Sequence, residues 1–153
     1  MRASLSLRGD YAVRAMLALG ALGALGAAPG ATDDAEPVAA RRIAERARIP
    51  SRFVAHVMSD LGRAGLVVGT TGRRGGYRLA APAAEISLLS IVDAVEERGV
   101  PPRCVLRGGL CDASGRCAVH DAFYAATDAL RASLRRTTLA ELVARDLEIE
   151  APR

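Results

Sequence analysis

The sequence contains no Lys and no Trp, and only five of its 153 residues are aromatic. Its three Cys are too few, and odd in number, for a small fold stabilised by disulfide bonds. Residues that favour strands are scarce and Ala is abundant, so helix is favoured over sheet. Because half of the residues are hydrophobic and the length suits one ordinary domain, we expect a packed core rather than disorder.

Long apolar runs are also missing. The longest, Ala15–Ala28, follows three Arg and resembles the apolar part of a signal peptide. The run is too short to span a bilayer, three Gly interrupt it, and Asp10 lies inside the supposed basic leader. We therefore expect a buried first helix and no membrane partner.

The spacing of apolar and turn residues predicts a mainly α fold with one small β-hairpin. Ser51 is placed as the cap of the third helix, and Thr138 with Glu141 forms a possible capping box for a short last helix. The predicted elements are helices over Asp10–Leu25, Val38–Ala47, Ser51 to about Ala64, Ser87 to about Arg98, and about Ala118–Arg136, a last short helix, and a hairpin over residues 66–80.

The second and third helices have the spacing of a helix-turn-helix, and the hairpin after them supplies a wing. Ala44 is small enough for the two helices to cross closely, and Ile49 fills the turn between them. Inward positions are predicted for Ile43, Ala44 and Ala47 on the first of these helices and for Val54, Val57 and Leu61 on the second.

Positive charge is concentrated in this same stretch. Residues 41–80 carry nine Arg and two acids, a net charge of +7, whereas the flanking stretches are slightly acidic. Such a block attracts a polyanion, and Arg contacts phosphate and guanine with two parallel hydrogen bonds. The alternative is a solvated surface rich in Arg.

Double-stranded DNA is the polyanion that a winged helix suits, since recognition helices present their first residues to the major groove. The hairpin turn, flanked by Gly, suits the minor groove or its phosphates. A surface histidine without a role, and a winged helix used for protein contacts, are the competing interpretations. The predicted DNA-binding residues are Ser51, Arg52, Ala55, His56, Arg73 and Arg74.

A Gly-rich segment carries Cys104, Cys111 and Cys117, and His120 follows. Clustered soft ligands with this C-x6-C-x5-C-x2-H spacing suit an iron–sulfur cluster or zinc. Thiols without a metal are a third possibility.

Together these features resemble the Rrf-type winged-helix transcription regulators, a bacterial family with IscR-like and NsrR-like iron–sulfur members. The likeness covers about residues 3–146 and is carried by RGDYAVRAM at 8–16, the wing sequence GRRGGYRLA at 72–80 and the three Cys. It implies a cytoplasmic homodimer that pairs through its long C-terminal helix and binds operator DNA. It also implies an iron–sulfur cluster held by the three Cys.

The resemblance leaves the fourth cluster ligand open. IscR-like proteins place a His where His120 stands, on a 2Fe–2S cluster, whereas NsrR-like proteins use an acid of the partner chain at the position of Asp10, on a 4Fe–4S cluster. Without a cluster, Asp10 would cap the first helix and His120 would be a surface residue.

The expected organisation is a winged helix-turn-helix domain over residues 1–82, followed by a cluster-binding loop and dimerisation helices over residues 83–153. The expected function is that of a transcriptional regulator, a repressor, whose DNA affinity depends on the cluster. The alternative is a metal-free or zinc-containing regulator controlled by thiol oxidation or by a protein partner. No nucleophile elbow, P-loop or dinucleotide fingerprint indicates an enzyme or a small-molecule substrate.

Overall fold

The computed structural model describes residues 5–24, 36–96 and 118–150. These residues form six helices and one two-stranded hairpin, which confirms the predicted fold class. The elements are α1 (Leu7–Ala24), α2 (Ala40–Ala47), α3 (Ser51–Arg63), β1 (Val67–Thr70), β2 (Gly76–Leu79), α4 (Leu88–Val95), α5 (His120–Arg136) and α6 (Leu139–Glu150). Within the described ranges no helix combines the length and the hydrophobicity that crossing a membrane requires.

The first helix is the centre of the core. Helix α1 packs against α2, α3, α4 and α6, and its Ala12, Ala15 and Met16 are fully buried. A Cβ on Gly20 would come 2.8 Å from a methyl carbon of Val143, so this glycine lets α6 approach α1 closely. Residues on both sides of position 82 therefore contribute to one hydrophobic core.

Helices α2 and α3 form the predicted helix-turn-helix. All seven predicted inward positions, three on α2, Ile49 in the turn and three on α3, are buried. Helix α2 ends at Ala47, and the next residue, Arg48, has a left-handed backbone (φ 52°). The amides of Arg48 and Ile49 donate to the carbonyls of Glu45 and Ala44, respectively. This is the hydrogen-bond pattern of a Schellman motif, with Arg in the position that usually holds Gly.

The hairpin is joined to the helix-turn-helix by a short bridge. Strands β1 and β2 pair antiparallel, and Val38 and Tyr77 exchange two backbone hydrogen bonds of 2.8 and 2.9 Å. A Cβ on Gly76 would lie 2.4 Å from the carbonyl oxygen of Val38, so only glycine allows this approach. Because Val38 is held in this bridge, α2 begins at Ala40 and not at Val38 as predicted.

The predicted cap of the third helix is wrong, and so is the alternative interpretation in which Asp10 caps the first helix. Pro50 occupies the N-cap of α3, so Ser51 is the first helical residue and its side chain caps nothing. Asp10 is not a cap either, because α1 begins at Leu7 and the hydroxyl of Ser6 accepts the amide of Gly9 at 3.0 Å.

The capping box of α6 is confirmed. Thr138 and Glu141 exchange two hydrogen bonds of 3.3 Å between amide and side chain. The last helix is longer than predicted, with twelve residues. Helix α4 ends at Val95, three residues before the predicted end, because Glu96 is extended.

Candidate nucleic-acid interface

The outer face of α3 gathers four of the residues predicted to contact DNA. Ser51, Arg52, Ala55 and His56 are all exposed, while the opposite face of the helix is buried against the core. Ser59, one turn beyond Ala55, is exposed as well and extends the same face. Steps of three and then four residues along the helix lead from Arg52 to Ala55 and to Ser59, so helical periodicity predicts that Ser59 lies on this face.

Arg52 is held by an aromatic ring and not by an acid. Its guanidinium lies over the ring of Phe53, 5.0 Å from the centroid, and it has no ion pair with any described residue. Phe53 in turn contacts Tyr11 of α1, with ring centroids 5.5 Å apart. A cation–π contact orients the guanidinium and leaves its N–H groups available to an anion or a base edge.

A buried carboxylate fixes α3 to α1. The side chain of Asp60 is 5% exposed and accepts hydrogen bonds from Arg8 of α1 and Arg63 of its own helix. Burial raises the pKa of Asp60, but the two guanidinium partners together lower it by more, so this pKa lies below the ordinary carboxylate value. This anchor could not be predicted from the sequence, because Arg8 and Asp60 lie far apart along the chain and meet only in the folded structure.

The wing turn places Arg73 and Arg74 in solvent. Both are exposed, and neither has an ion pair among the described residues. A Cβ on Gly75 would lie 2.5 Å from the carbonyl oxygen of Thr70, and Gly72 has a positive φ of 107°. The glycines around the arginine pair therefore shape a tight turn that presents two unneutralised cations.

Two further arginines near this surface were not singled out from the sequence. Arg42 on α2 and Arg48 in the turn before α3 are exposed and have no ion pair with a described residue. Arg41, by contrast, donates to Glu45 at 2.8 Å, which raises its pKa. Glu45 follows Arg41 by four residues and Arg42 by three, so the sequence spacing allows either pair, and the structure shows Glu45 bound to Arg41.

The three Cys predicted to hold a metal, Cys104, Cys111 and Cys117, lie outside the described residues. Glu96 is the last described residue before them, and its carboxylate accepts the amide of Ser6 at 3.3 Å. Among the residues that are described, no group of three or more His, Cys, Asp or Glu is assembled for a metal ion.

Both candidate fourth ligands are described. Asp10 is 38% exposed and is hydrogen-bonded to Arg14 one turn later, with 3.1 Å between Nε and Oδ1. This pairing raises the pKa of Arg14. His120 is the first residue of α5 and stacks on Tyr124, with centroids 4.3 Å apart.

Helix α5 shows an apolar stripe to solvent. No residue of α5 is buried, and Phe123 and Leu130 are 38% and 46% exposed. These two belong to a stripe of apolar residues at spacings of three and four, which begins at Val119 and also contains Ala126 and Leu134. Helix α5 also packs on α4, where Arg131 makes two hydrogen bonds to Asp93 of 3.1 and 2.8 Å.

The family model of Rrf2, described as iron-dependent transcriptional regulators, matches residues 5–145 of this chain. The chain belongs to the Rrf2 family. IscR of Cronobacter sakazakii is 34% identical over 139 residues, which cover 91% of this chain and 79% of that protein.

Solved structures agree with this assignment. The IscR of T. potens superposes with a TM-score of 0.74 at 22% identity, covering 99% of this chain and 93% of that one. CymR, the global cysteine regulator of B. subtilis, superposes with a TM-score of 0.72 at 24% identity, covering 94% and 98%. At these identities the structures establish the Rrf2 fold, a winged helix with additional helices.

Proposed function

We propose that this Rrf2-family chain is a cytoplasmic repressor that binds operator DNA as a homodimer and is controlled by an iron–sulfur cluster. The observation that carries the proposal is the outer face of α3. It is exposed and polar, it belongs to a block of +7 charge, and its Arg52 is oriented without being neutralised. A recognition helix needs each of these properties.

Each exposed residue of this surface suits a particular contact. Arg52 can bind guanine with two hydrogen bonds, and Ala55 can contact a thymine methyl group. Ser51 suits a phosphate, and His56 suits a base or a phosphate. Arg73 and Arg74 suit the minor groove beside the major groove that α3 enters.

The second copy of the chain would pack on α5. A stripe with a spacing close to seven residues is typical of two helices that pair along their length. Phe123 and Leu130 are 38% and 46% exposed, so covering each of them contributes less than half of the about 1.5–3 kcal/mol that full burial of an exposed side chain of this size provides. The dimer would then present two α3 helices to two half-sites.

The donor set fits an iron–sulfur cluster. Cys104, Cys111 and Cys117 would supply three thiolates, and Asp10 of the partner chain or His120 of the same chain would supply the fourth ligand. Asp10 is 38% exposed and is held by a surface pair with Arg14, and His120 is the first residue of α5, three residues after Cys117 in the sequence. When bound, the cluster supplies sensitivity to oxidants, nitric oxide or the supply of clusters.

The position of the cysteine segment supports control of DNA binding. The segment joins α4 to α5, and α4 packs against both α1 and α3. From Asp10 a series of contacts leads through Arg14, which lies 5.9 Å from the centroid of Tyr11, to Phe53 and Arg52. A ligand that draws Asp10 away from Arg14 would loosen the aromatic support of Arg52.

Selection of binding sequences from bacterial upstream DNA tests the DNA part of the proposal. Wild-type protein should enrich one two-fold symmetric site. Arg52→Ala should relax the preference at one position per half-site, a loss of about 1–3 kcal/mol of discrimination. The double variant Arg73→Ala, Arg74→Ala should weaken binding to all sequences and flatten its salt dependence. If all three proteins select the same site with equal affinity, this docking is wrong.

Anaerobic purification with iron, sulfide and zinc analysis tests the cofactor. We expect a brown protein with iron and sulfide in equal amounts, and loss of both in Cys111→Ala. Comparing Asp10→Ala with His120→Ala identifies the fourth ligand, since only the true ligand should change the visible spectrum. One zinc without sulfide, or free thiols that oxidise reversibly, would instead support a thiol-controlled regulator and contradict the cluster.

A further inference from the structure

A cleft of about 250 Å³ lies between the end of α1, the start of α2 and the wing turn. Arg42 lines it from α2, and Arg73 and Arg74 line it from the wing. Glu36 is the one acid among the lining residues. The cleft therefore joins three cations from two elements that are distant in sequence.

These cations are not neutralised within the described part of the chain, where none of the three arginines has an ion pair. The neighbouring Arg41 shows the contrast, because its guanidinium is bound to Glu45. Like charges repel when they are held close together, and an anion removes that repulsion while guanidinium groups bind its oxygens in pairs.

The backbone keeps the two sides of the cleft together. The hydrogen bonds between Val38 and Tyr77 tie the wing to the residue before the α2 cap, and Gly76 permits their close approach. Ala39 caps α2 without a side-chain hydrogen bond, so no cap side chain competes for the first amides of the helix. Because neither element can move away alone, the site is formed before a ligand arrives, which lowers the entropy lost on binding.

We propose that this cleft is a phosphate site that takes one backbone phosphate of the bound DNA. Three guanidinium groups on the walls of one cleft suit the oxygens of a tetrahedral anion. One phosphate held between α2 and the wing would fix how deeply α3 enters the major groove. This inference rests on the proposed DNA binding, although a small phosphorylated compound has the same chemistry.

The first experiment measures the binding of inorganic phosphate to the cleft in the absence of DNA. The amide signals of Ala39 and Gly75 are followed by NMR while inorganic phosphate is added to the intact protein at constant ionic strength. Wild type and Arg41→Gln should show the same saturable shifts, and Arg42→Gln should bind at least tenfold more weakly. Glu36→Gln should bind phosphate more tightly, because the substitution removes an acid that lines the cleft. Absent or non-saturating shifts in wild type, or equal binding by Arg42→Gln, would overturn the proposal.

The second experiment identifies the source of the phosphate. Operator duplexes carrying one neutral methylphosphonate at a time are bound to wild type, Arg42→Gln and the matched control Arg41→Gln. At one position per half-site, the neutral methylphosphonate should weaken operator binding by wild type about tenfold and leave operator binding by Arg42→Gln unchanged. The salt slope of Arg42→Gln should be smaller by about one.

The outcomes separate the two proposals. If phosphate binds in the cleft but every methylphosphonate weakens Arg42→Gln as much as wild type, the DNA source is wrong and a small phosphorylated ligand takes its place. If wild type binds no DNA at all, the proposed function fails, and the phosphate titration still decides for or against the cleft.

Discussion

Helices α3 and α5 each leave one face in solvent, but the two faces differ in chemistry. The inner face of α3 is buried, and its outer face carries Ser51, Arg52 and His56. Helix α5 has no buried residue, and Phe123 and Leu130 are exposed on it. A polar face with an unneutralised cation suits a polyanion, whereas an exposed apolar stripe suits a second hydrophobic surface.

The helices also differ in how they are anchored. A nearly inaccessible carboxylate, Asp60, holds α3 to Arg8 of α1, whereas Asp93, which is partly exposed, holds α5 to α4 through Arg131. Helix α3 is thus fixed within its own chain before it meets any partner. The position of helix α5 depends more on the surface that packs against its exposed face.

Placing charge on the α5 stripe should have the largest effect. Phe123→Asp with Leu130→Asp should give a monomer, and operator affinity should fall about 10²–10⁴-fold because the two half-sites are no longer bound by one linked molecule. Sedimentation equilibrium and operator titration measure the two quantities. Ala125→Asp, which by helical spacing lies opposite the stripe, is the control and should remain dimeric. A dimeric double variant would show that α5 does not form the interface.

Gly76→Ala tests whether the wing needs its close approach to α2. The added Cβ would meet the backbone of Val38, which cannot yield as a flexible side chain would, and two bridge hydrogen bonds would be lost. Unfolding by urea should show a loss of about 2 kcal/mol in free energy of unfolding. Gly62→Ala is the control, since its Cβ would have only ordinary contacts and should stabilise α3. Equal stability of the two variants would contradict the proposed role of Gly76.

The two anchors can be compared directly through Asp60→Asn and Asp93→Asn. At neutral pH, Asp60→Asn should lower the free energy of unfolding by about 1–2 kcal/mol, since hydrogen bonds to a buried charge are weakened. Asp93→Asn should change it much less, because the surface pair is screened by solvent.

The contribution of Asp60 should also depend on pH. Its pKa is lower in the folded state than the ordinary 3.8, so this stabilisation is present above about pH 4 and is lost as the pH falls through the folded pKa. Urea unfolding between pH 2 and pH 7 should show wild type converging on Asp60→Asn in acid. A difference that does not change with pH would contradict the ion pair.

Arg48→Gly should change the free energy of unfolding in the opposite direction and by a smaller amount than Gly76→Ala. Glycine adopts a positive φ without the cost that a Cβ imposes, so the free energy of unfolding should rise by about 1 kcal/mol. Arg48→Ala keeps the Cβ and should leave stability close to that of wild type. If both variants are equally stable, the left-handed backbone at this position is not strained.

The helix-turn-helix and the wing could be predicted because their signals are local. Ala44 and Ile49 mark the crossing and the turn, and the glycines around Arg73 mark the hairpin. The start of α2 could not be predicted, since Val38 pairs with Tyr77 far along the chain. The residue type of Ser51 is typical of a helix cap, but Pro50 occupies the N-cap position of α3.

In the candidate site too, features with a local sequence signal could be predicted, and features that depend on tertiary contacts could not. The exposed face of α3 follows from helical periodicity, and all four residues predicted on it are exposed. The Asp60 anchor and the cleft beside Arg42 depend on tertiary contacts with Arg8 and with the wing. The DNA contacts and the cluster ligands stay predictions.

Operator affinity under strict anaerobic conditions tests the central claim most directly. Wild-type protein with its cluster is compared with Cys104→Ala, Cys111→Ala, Cys117→Ala triple-variant protein at one salt concentration, with iron and sulfide measured in both samples. The account predicts that wild type contains the cluster and that the two affinities differ at least tenfold on the operator but not on unrelated DNA. Equal operator affinity, or a wild-type protein without iron, would contradict it.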